Sequence, residues 1–163
     1  ANYFTLGGAG GEKVDRDAAV RKSQGQPDMY LVDLPGYGFA KVSKKSHQEW
    51  AELLQGFLGS RGFTILRRCL VLVDARRGPS PHDWILMELL SDANVPFQLV
   101  LTKADLVSRQ EQQARAVQLF EELAQWHKIR PTNMPSVHVV SSRTGDGVGE
   151  LRWAVLDAAK IRA

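Results

Sequence analysis

The distribution of apolar residues predicts strands and helices that alternate along most of this chain. Four short apolar runs, rich in β-branched residues, predict strands: MYLVDLP at 29–35, CLVLVDA at 69–75, FQLVLTKAD at 97–105 and SVHVVSS at 136–142. Such nearly continuous runs are typical of parallel strands that are buried on both faces. We therefore expect an α/β domain with a largely parallel sheet.

Apolar residues at helical spacing lie between these runs. One helix is predicted by the face formed by Trp50, Leu53, Leu54, Phe57 and Leu58. The next begins at Ser80, which can cap it, with Pro81 at its first position and Asp83 near its positive end. A longer helix carries an apolar face of Ala114, Val117, Phe120 and Leu123 or Ala124. The last runs from about Gly149 to Ile161.

The start of the chain breaks this alternation. The runs ANYFTL and MYLVDLP have no helical pattern between them, which predicts an antiparallel hairpin at the edge of the sheet. Residues 7–28, which connect the two strands, are Gly-rich and carry interleaved basic and acidic residues. We interpret this segment as a flexible surface insertion within a single domain over residues 1–163.

Composition excludes several classes of protein. A net charge of +3 permits contact with nucleic acid but does not indicate it. Cys69 is the only cysteine, so no internal disulfide forms, and the four histidines lack metal-ligand spacing. No apolar run reaches the length of a membrane span and no signal peptide opens the sequence, so we expect no membrane partner.

The ends of three predicted strands carry an ordered set of polar residues and glycines. They are Asp33-Leu34-Pro35-Gly36, Thr102-Lys103-Ala104-Asp105 and Ser141-Ser142-Arg143-Thr144-Gly145. In open α/β sheets, ligands bind beyond the carboxyl ends of the strands. The order and placement of the set resemble the G3, G4 and G5 motifs of a GTP-binding domain.

The resemblance implies a role for each of these residues. Asp33 would hold Mg²⁺ through water, and the Gly36 backbone N–H would approach the γ-phosphate. Asp105 would accept hydrogen bonds from the ring N–H and exocyclic amine of guanine. The stem of Lys103 would lie along the base, and the Ser142 backbone N–H would meet its carbonyl oxygen. Thr102, Ser141 and Arg143 belong to the same motifs.

A narrower resemblance begins at Tyr30 and extends almost to the C-terminus. The stretches DLPGYGFAKVSKKSHQEWAELLQGFL, VLVDARRGPSPHDW and LVLTKADLVS are similar to the EngB (YsxC/YihA) GTPases of ribosome biogenesis. Thr102, where most G domains have asparagine, is typical of that family. The resemblance implies a G domain of the P-loop NTPase type, a three-layer sandwich with a mostly parallel sheet. It also implies GTP, GDP and Mg²⁺ as ligands, and a monomer that acts within a precursor of the large ribosomal subunit, its rRNA and its proteins.

Two departures from the G-domain pattern affect function. No G-x-x-x-x-G-K-[ST] phosphate loop occurs in this sequence, and GGAGGEK is followed by Val14 rather than serine or threonine. The first strand and P-loop should precede ANYFTL, with that strand between the strands ending at Asp33 and Asp74. We therefore expect an N-terminally incomplete domain, or a partner that supplies the strand. Tyr37 follows Gly36 where Ras-like enzymes carry a water-orienting glutamine, so the catalytic residues stay open and hydrolysis should be slow and partner-stimulated. The alternative for Tyr37 is an exposed aromatic residue that docks on a partner.

Basic residues follow the predicted phosphate-sensing turn. Lys41, Lys44 and Lys45 are candidates for contact with rRNA phosphates. The favoured function is a GTPase switch in assembly of the large subunit, in a mitochondrion or other organelle because residues 7–28 are long for a bacterial hairpin. The alternatives are a nucleotide-incompetent module that docks on RNA or protein, a signalling or trafficking G protein, and, for the compartment, bacterial cytoplasm.

Overall fold

The computed structural model describes residues 2–6, 13–14, 29–34, 56, 66–129 and 132–159. Six strands, numbered in chain order, occupy β1 Asn2–Leu6, β2 Lys13–Val14, β3 Met29–Asp33, β4 Cys69–Asp74, β5 Phe97–Thr102 and β6 Asn133–Val139. The helices are α1 Pro81–Asp92, α2 Arg109–His127 and α3 Val148–Ala159, and a short 3₁₀ turn covers Ala104–Leu106. From β4 onward, strands and helices alternate, as the apolar pattern predicts.

The first sheet is antiparallel and contains the predicted hairpin. Strand β1 pairs with β3 along its whole length, from Asn2 opposite Asp33 to Leu6 opposite Met29. Within the predicted insertion at 7–28, Lys13–Val14 forms the strand β2 and pairs with the other edge of β1. The rest of that segment lies outside the described residues, so its flexibility stays a prediction.

The second sheet is parallel, in the order β4-β5-β6. Its central strand is buried from Phe97 to Leu101, which explains why FQLVL is continuously apolar apart from Gln98. Asp74 pairs with Thr102, so the carboxyl ends of β4 and β5 lie side by side. Among the described strands, β3 and β4 do not pair with each other. The additional strand that the sequence predicts between them stays a prediction.

The beginning of α1 confirms the predicted cap. The Ser80 hydroxyl accepts a hydrogen bond from the Asp83 backbone N–H at 3.3 Å, and the Asp83 carboxylate accepts from the Ser80 N–H at 2.6 Å. Ser108 and Glu111 form the same reciprocal pair at the start of α2. These capping boxes satisfy backbone donors that have no partner within a helix.

Of the apolar face predicted for α2, only Leu123 is buried. Val117 and Phe120 are 51% and 48% exposed, whereas Leu119 and Leu123 are buried against the sheet. Trp126, one helical turn beyond Leu123, packs on the same core beside Phe97 and Trp84. Two apolar stripes run along this helix, and the stripe with the leucines and the tryptophan packs against the sheet.

The main core lies between the parallel sheet and helices α1 and α2. Its fully buried members include Phe97, Leu99 and Leu101 of β5 with Met87 and Leu90 of α1. Leu34, which directly follows β3, packs against this core. The helix predicted around residues 50–58 lies outside the described residues apart from Gly56, which is helical. None of the described helices is long and apolar enough to cross a membrane.

Candidate guanine-nucleotide site

Loops that follow β5 and β6 bring the predicted base-binding residues together. Asp105 lies in the 3₁₀ turn after β5, and Ser141 and Arg143 lie in the loop between β6 and α3. Because these strands are parallel neighbours, both loops emerge from the same edge of the sheet. The sequence separation of 36 residues between Asp105 and Ser141 becomes a direct contact.

Asp105 is held by two side chains of the second loop. The Ser141 hydroxyl donates to its Oδ1 at 2.5 Å, and Arg143 Nε donates to its Oδ2 at 2.6 Å. Only 8% of the Asp105 side chain is exposed, whereas Arg143 is 72% exposed. The hydrogen bond from Ser141 and then that from Arg143 lower the pKa of Asp105. The carboxylate therefore stays ionised, and the two hydrogen bonds fix its orientation.

Backbone hydrogen bonds hold the two loops against each other. Ala104 N–H donates to the Val140 carbonyl at 3.1 Å, and Ser141 N–H donates to the Asp146 carbonyl at 2.9 Å. Gly147 has φ +71°, and a Cβ there would overlap the Val139 carbonyl oxygen. Only glycine fits this position, since the backbone passes directly over the end of β6.

Thr102 and Lys103 join the site to β4. The Thr102 hydroxyl donates to the Val73 carbonyl at 3.1 Å, so it ties neighbouring strands together. Lys103 has φ 57°, in the left-handed region, and its Nζ lies 3.1 Å from Asp74 Oδ2. Ser142 is exposed on the second loop. The nucleotide-binding roles of these residues stay predictions.

Asp74 and Arg76 also lie at this edge of the sheet, although neither belongs to the three sequence motifs. Arg76 binds both carboxylate oxygens of Asp74, with Nε 2.9 Å from Oδ1 and Nη2 2.6 Å from Oδ2. The signal was present in VDARRG, where an acidic residue ends a buried strand and a basic residue follows two positions later. The Asp74–Arg76 pair matters for the site because Asp74 also contacts Lys103, and only the folded chain brings these two residues together.

Of the predicted switch residues, only Asp33 lies among the described residues. Asp33 ends β3 opposite Asn2 and is exposed. Gly36, Tyr37 and the basic candidates Lys41, Lys44 and Lys45 lie outside the described residues. Among the described residues, no group of three or more His, Cys, Asp or Glu side chains could hold a metal ion.

Comparisons with known proteins give the family. A model of the elongation factor Tu GTP-binding domain matches residues 59–160. A probable GTP-binding protein EngB of Mesorhizobium japonicum is 39% identical over 158 residues, which cover 97% of this chain and 67% of that protein. The EngB of Chelativorans sp. is 39% identical (96% of this chain, 63% of the relative), and that of Ruegeria pomeroyi 42% identical (77% and 55%). The chain thus spans between 55% and 67% of the length of these relatives.

Solved structures give the same fold. The translation elongation factor SelB of Methanococcus maripaludis matches in its apo form with a TM-score of 0.60 and 25% identity, over 80% of this chain and 25% of SelB. The complex of SelB with the GTP analogue GppNHp matches with a TM-score of 0.58. These matches confirm the predicted fold class, a G domain with a mostly parallel sheet. By sequence, the chain belongs to the EngB family of GTP-binding proteins.

Proposed function

We propose that the full-length protein is a guanine-nucleotide switch that assists assembly of the large ribosomal subunit. The observation that carries the nucleotide part is the Ser141–Asp105–Arg143 arrangement at the end of the parallel sheet. It supplies an ionised, oriented carboxylate at the edge where α/β folds bind ligands. Family membership supports GTP as the ligand and GTP hydrolysis as the reaction.

Guanine recognition follows from the donors and acceptors available. Guanine presents two neighbouring N–H donors to a carboxylate, whereas adenine has an acceptor at the corresponding ring nitrogen. Ser141 uses one lone pair of Asp105 Oδ1. Once Arg143 moves away, both oxygens of Asp105 can accept further hydrogen bonds. Asp105 is thus the residue that should select guanine over adenine.

Asp33 is a suitable ligand for Mg²⁺, but protein side chains alone would not complete the coordination of the ion. The donor is of the right type, an exposed carboxylate at a strand end. Mg²⁺ commonly binds through one or two carboxylates together with nucleotide phosphates, so the lack of a carboxylate cluster among the described residues is no obstacle. Bound there, the ion would neutralise charge on the phosphates. Asp33 would orient its water shell, and Gly36 would leave room for the γ-phosphate.

The ribosomal part of the proposal rests on the family resemblance and on the basic run KVSKK. Lys41, Lys44 and Lys45 follow the turn that should sense the γ-phosphate, so nucleotide state would control their access to rRNA phosphates. For the compartment, the relatives named above are all bacterial, which supports bacterial cytoplasm. The organellar expectation has no support from them.

The nucleotide proposal is tested by equilibrium titration of the full-length protein with GTP, ATP and XTP. We expect GTP to bind more than about 100-fold more tightly than ATP, because ATP would leave the Asp105 carboxylate without its donors. Asp105→Asn should shift preference toward XTP, whose ring carbonyl meets the new amide donor. Asp157→Asn, an exposed carboxylate of α3, is the matched control and should retain the preference for GTP. Equal wild-type affinity for GTP and ATP contradicts the proposal.

The ribosomal proposal is tested by pelleting the full-length protein with large-subunit particles across a range of salt concentrations. Binding should be tighter with a non-hydrolysable GTP analogue than with GDP, and should weaken with salt as counterions are released. Replacing Lys41, Lys44 and Lys45 with alanine should reduce the salt slope by up to about three units. An unchanged slope would move the RNA surface elsewhere. Particle binding without any nucleotide binding would favour the docking-module alternative.

A further inference from the structure

A charged cluster at the end of β4 lies directly beside the candidate base-binding residues. Its centre is Asp74, whose side chain is 17% exposed and contacts two cations. Arg76 binds both carboxylate oxygens, and Lys103 Nζ lies 3.1 Å from Oδ2. We propose that Asp74 is a positioning residue for Lys103, and that Arg76 fixes the Asp74 carboxylate for this purpose. This inference rests on the guanine-nucleotide binding proposed above.

Arg76 leaves the Asp74 carboxylate little freedom. Besides its guanidinium, the Arg76 backbone N–H donates to Asp74 Oδ1 at 3.0 Å. The turn itself is closed by the Asp74 carbonyl, which accepts from the N–H groups of Arg77 and Gly78, each at 3.0 Å. The Arg76 hydrogen bonds strongly lower the pKa of Asp74, so the acceptor is ionised at any physiological pH. Oδ2 is therefore a fixed negative point at the sheet edge.

The sheet fixes where that point lies relative to Lys103. Asp74 is the register partner of Thr102, the residue just before Lys103. Two further bonds hold the strand ends together, from Ala75 N–H to the Thr102 carbonyl at 2.8 Å and from the Thr102 hydroxyl to Val73. The Lys103 stem must consequently extend from the end of β5 across to the end of β4.

Lys103 needs such an anchor because its side chain is long and half exposed. A free lysine populates many rotamers, and a ligand that requires one of them loses affinity when it orders the side chain. An anchor at Nζ restricts the stem before the ligand arrives. Two cations around one carboxylate also leave the cluster with one net positive charge, which favours an anionic nucleotide.

The test measures GDP binding by the full-length protein and uses a double-mutant cycle. Asp74→Asn keeps the size of the side chain and removes its charge, and we expect about two- to tenfold weaker binding of GDP. Lys103→Ala should weaken binding as well. In the Lys103→Ala background, Asp74→Asn should have almost no further effect, because its target is gone. Asp157→Asn is the matched control and should bind like the wild type.

A purely structural role of Asp74 gives a different result. It would lower the midpoint of thermal unfolding without nucleotide and weaken GDP binding equally in both backgrounds. Arg76→Gln provides a second route, since it keeps the carboxylate but removes the guanidinium that holds it. We expect a smaller loss of GDP affinity, again abolished in the Lys103→Ala background.

The inference is overturned if Asp74→Asn and Arg76→Gln both bind GDP like the wild type, or if their effects persist without Lys103. Failure of the wild type itself to bind GDP would instead remove the proposed function on which the inference depends. These outcomes are distinguishable because the wild type is titrated in the same experiment.

Discussion

The pairing of Arg143 with Asp105 places a cation on an oxygen that guanine is expected to use. Arg143 Nε lies 2.6 Å from Asp105 Oδ2, and its side chain is largely exposed. A guanine N–H directed at this oxygen must displace Arg143 or share the acceptor with it. Arg143 therefore competes with the base, although it also keeps Asp105 ionised and oriented.

We predict that Arg143→Ala tightens binding of GDP by about two- to fivefold at low salt, because an ion pair whose guanidinium is largely exposed is weak but must still be exchanged. The gain should shrink as salt screens the pair in the wild type. Displacement of a fluorescent guanine nucleotide measures the affinity, and Arg152→Ala on α3 serves as the control. Weaker binding by Arg143→Ala would show that the guanidinium contacts the nucleotide itself.

At the scale of single elements, short-range patterns predicted more than long-range contacts. The parallel strands that contain Cys69, Phe97 and Ser136 depend on neighbouring residues, as does the cap at Ser80, so the sequence was sufficient to predict that they exist. The third strand nevertheless runs over Asn133–Val139 rather than over 136–142. The apolar face predicted for α2 includes Val117 and Phe120, which are exposed, because they satisfy helical spacing with Leu123 as well as Leu119 does. Only packing against the sheet decides between two such stripes.

The candidate site shows the same difference between short-range patterns, which predict contacts, and long-range contacts, which they do not predict. Motif order indicated Asp105, Ser141 and Arg143, and the fold does bring them together. The sequence did not indicate that Asp74 would meet Lys103, because the contact joins residues 29 positions apart on neighbouring strands. Such a pair depends on strand order and register, neither of which leaves a local signal.

At the scale of the whole molecule, a polar network joins strands β5 and β6 to helix α3 through Arg68, which directly precedes β4. Gln98 Nε2 donates to Ser136 Oγ at 2.6 Å and to His138 Nε2 at 2.8 Å. Arg68 Nη1 donates to Gln98 Oε1 at 3.1 Å and to the Ala154 carbonyl of α3 at 3.2 Å. Since Gln98 is the donor, His138 Nε2 must be the acceptor, and the ring is neutral in this arrangement.

Protonation of His138 would turn this acceptor into a donor that faces the amide of Gln98. Burial, and secondly the charge of Arg68, lower the pKa of His138 below its ordinary value of 6.5, while Glu150 acts in the opposite direction. A histidine whose pKa is lowered on folding contributes stability that is present above the unfolded pKa. That contribution is lost as the pH falls through the folded pKa.

We therefore predict that the free energy of unfolding decreases between pH 7.5 and pH 5.5, as measured by equilibrium unfolding of the full-length protein in urea. Asp74 and Asp105, whose pKa values are lowered, remain ionised throughout this range and should not contribute. His138→Gln keeps a side-chain acceptor for Gln98 but cannot titrate, so its stability should depend less on pH than that of the wild type. An equal loss of stability in both proteins would assign the pH dependence to other groups and remove His138 from this role.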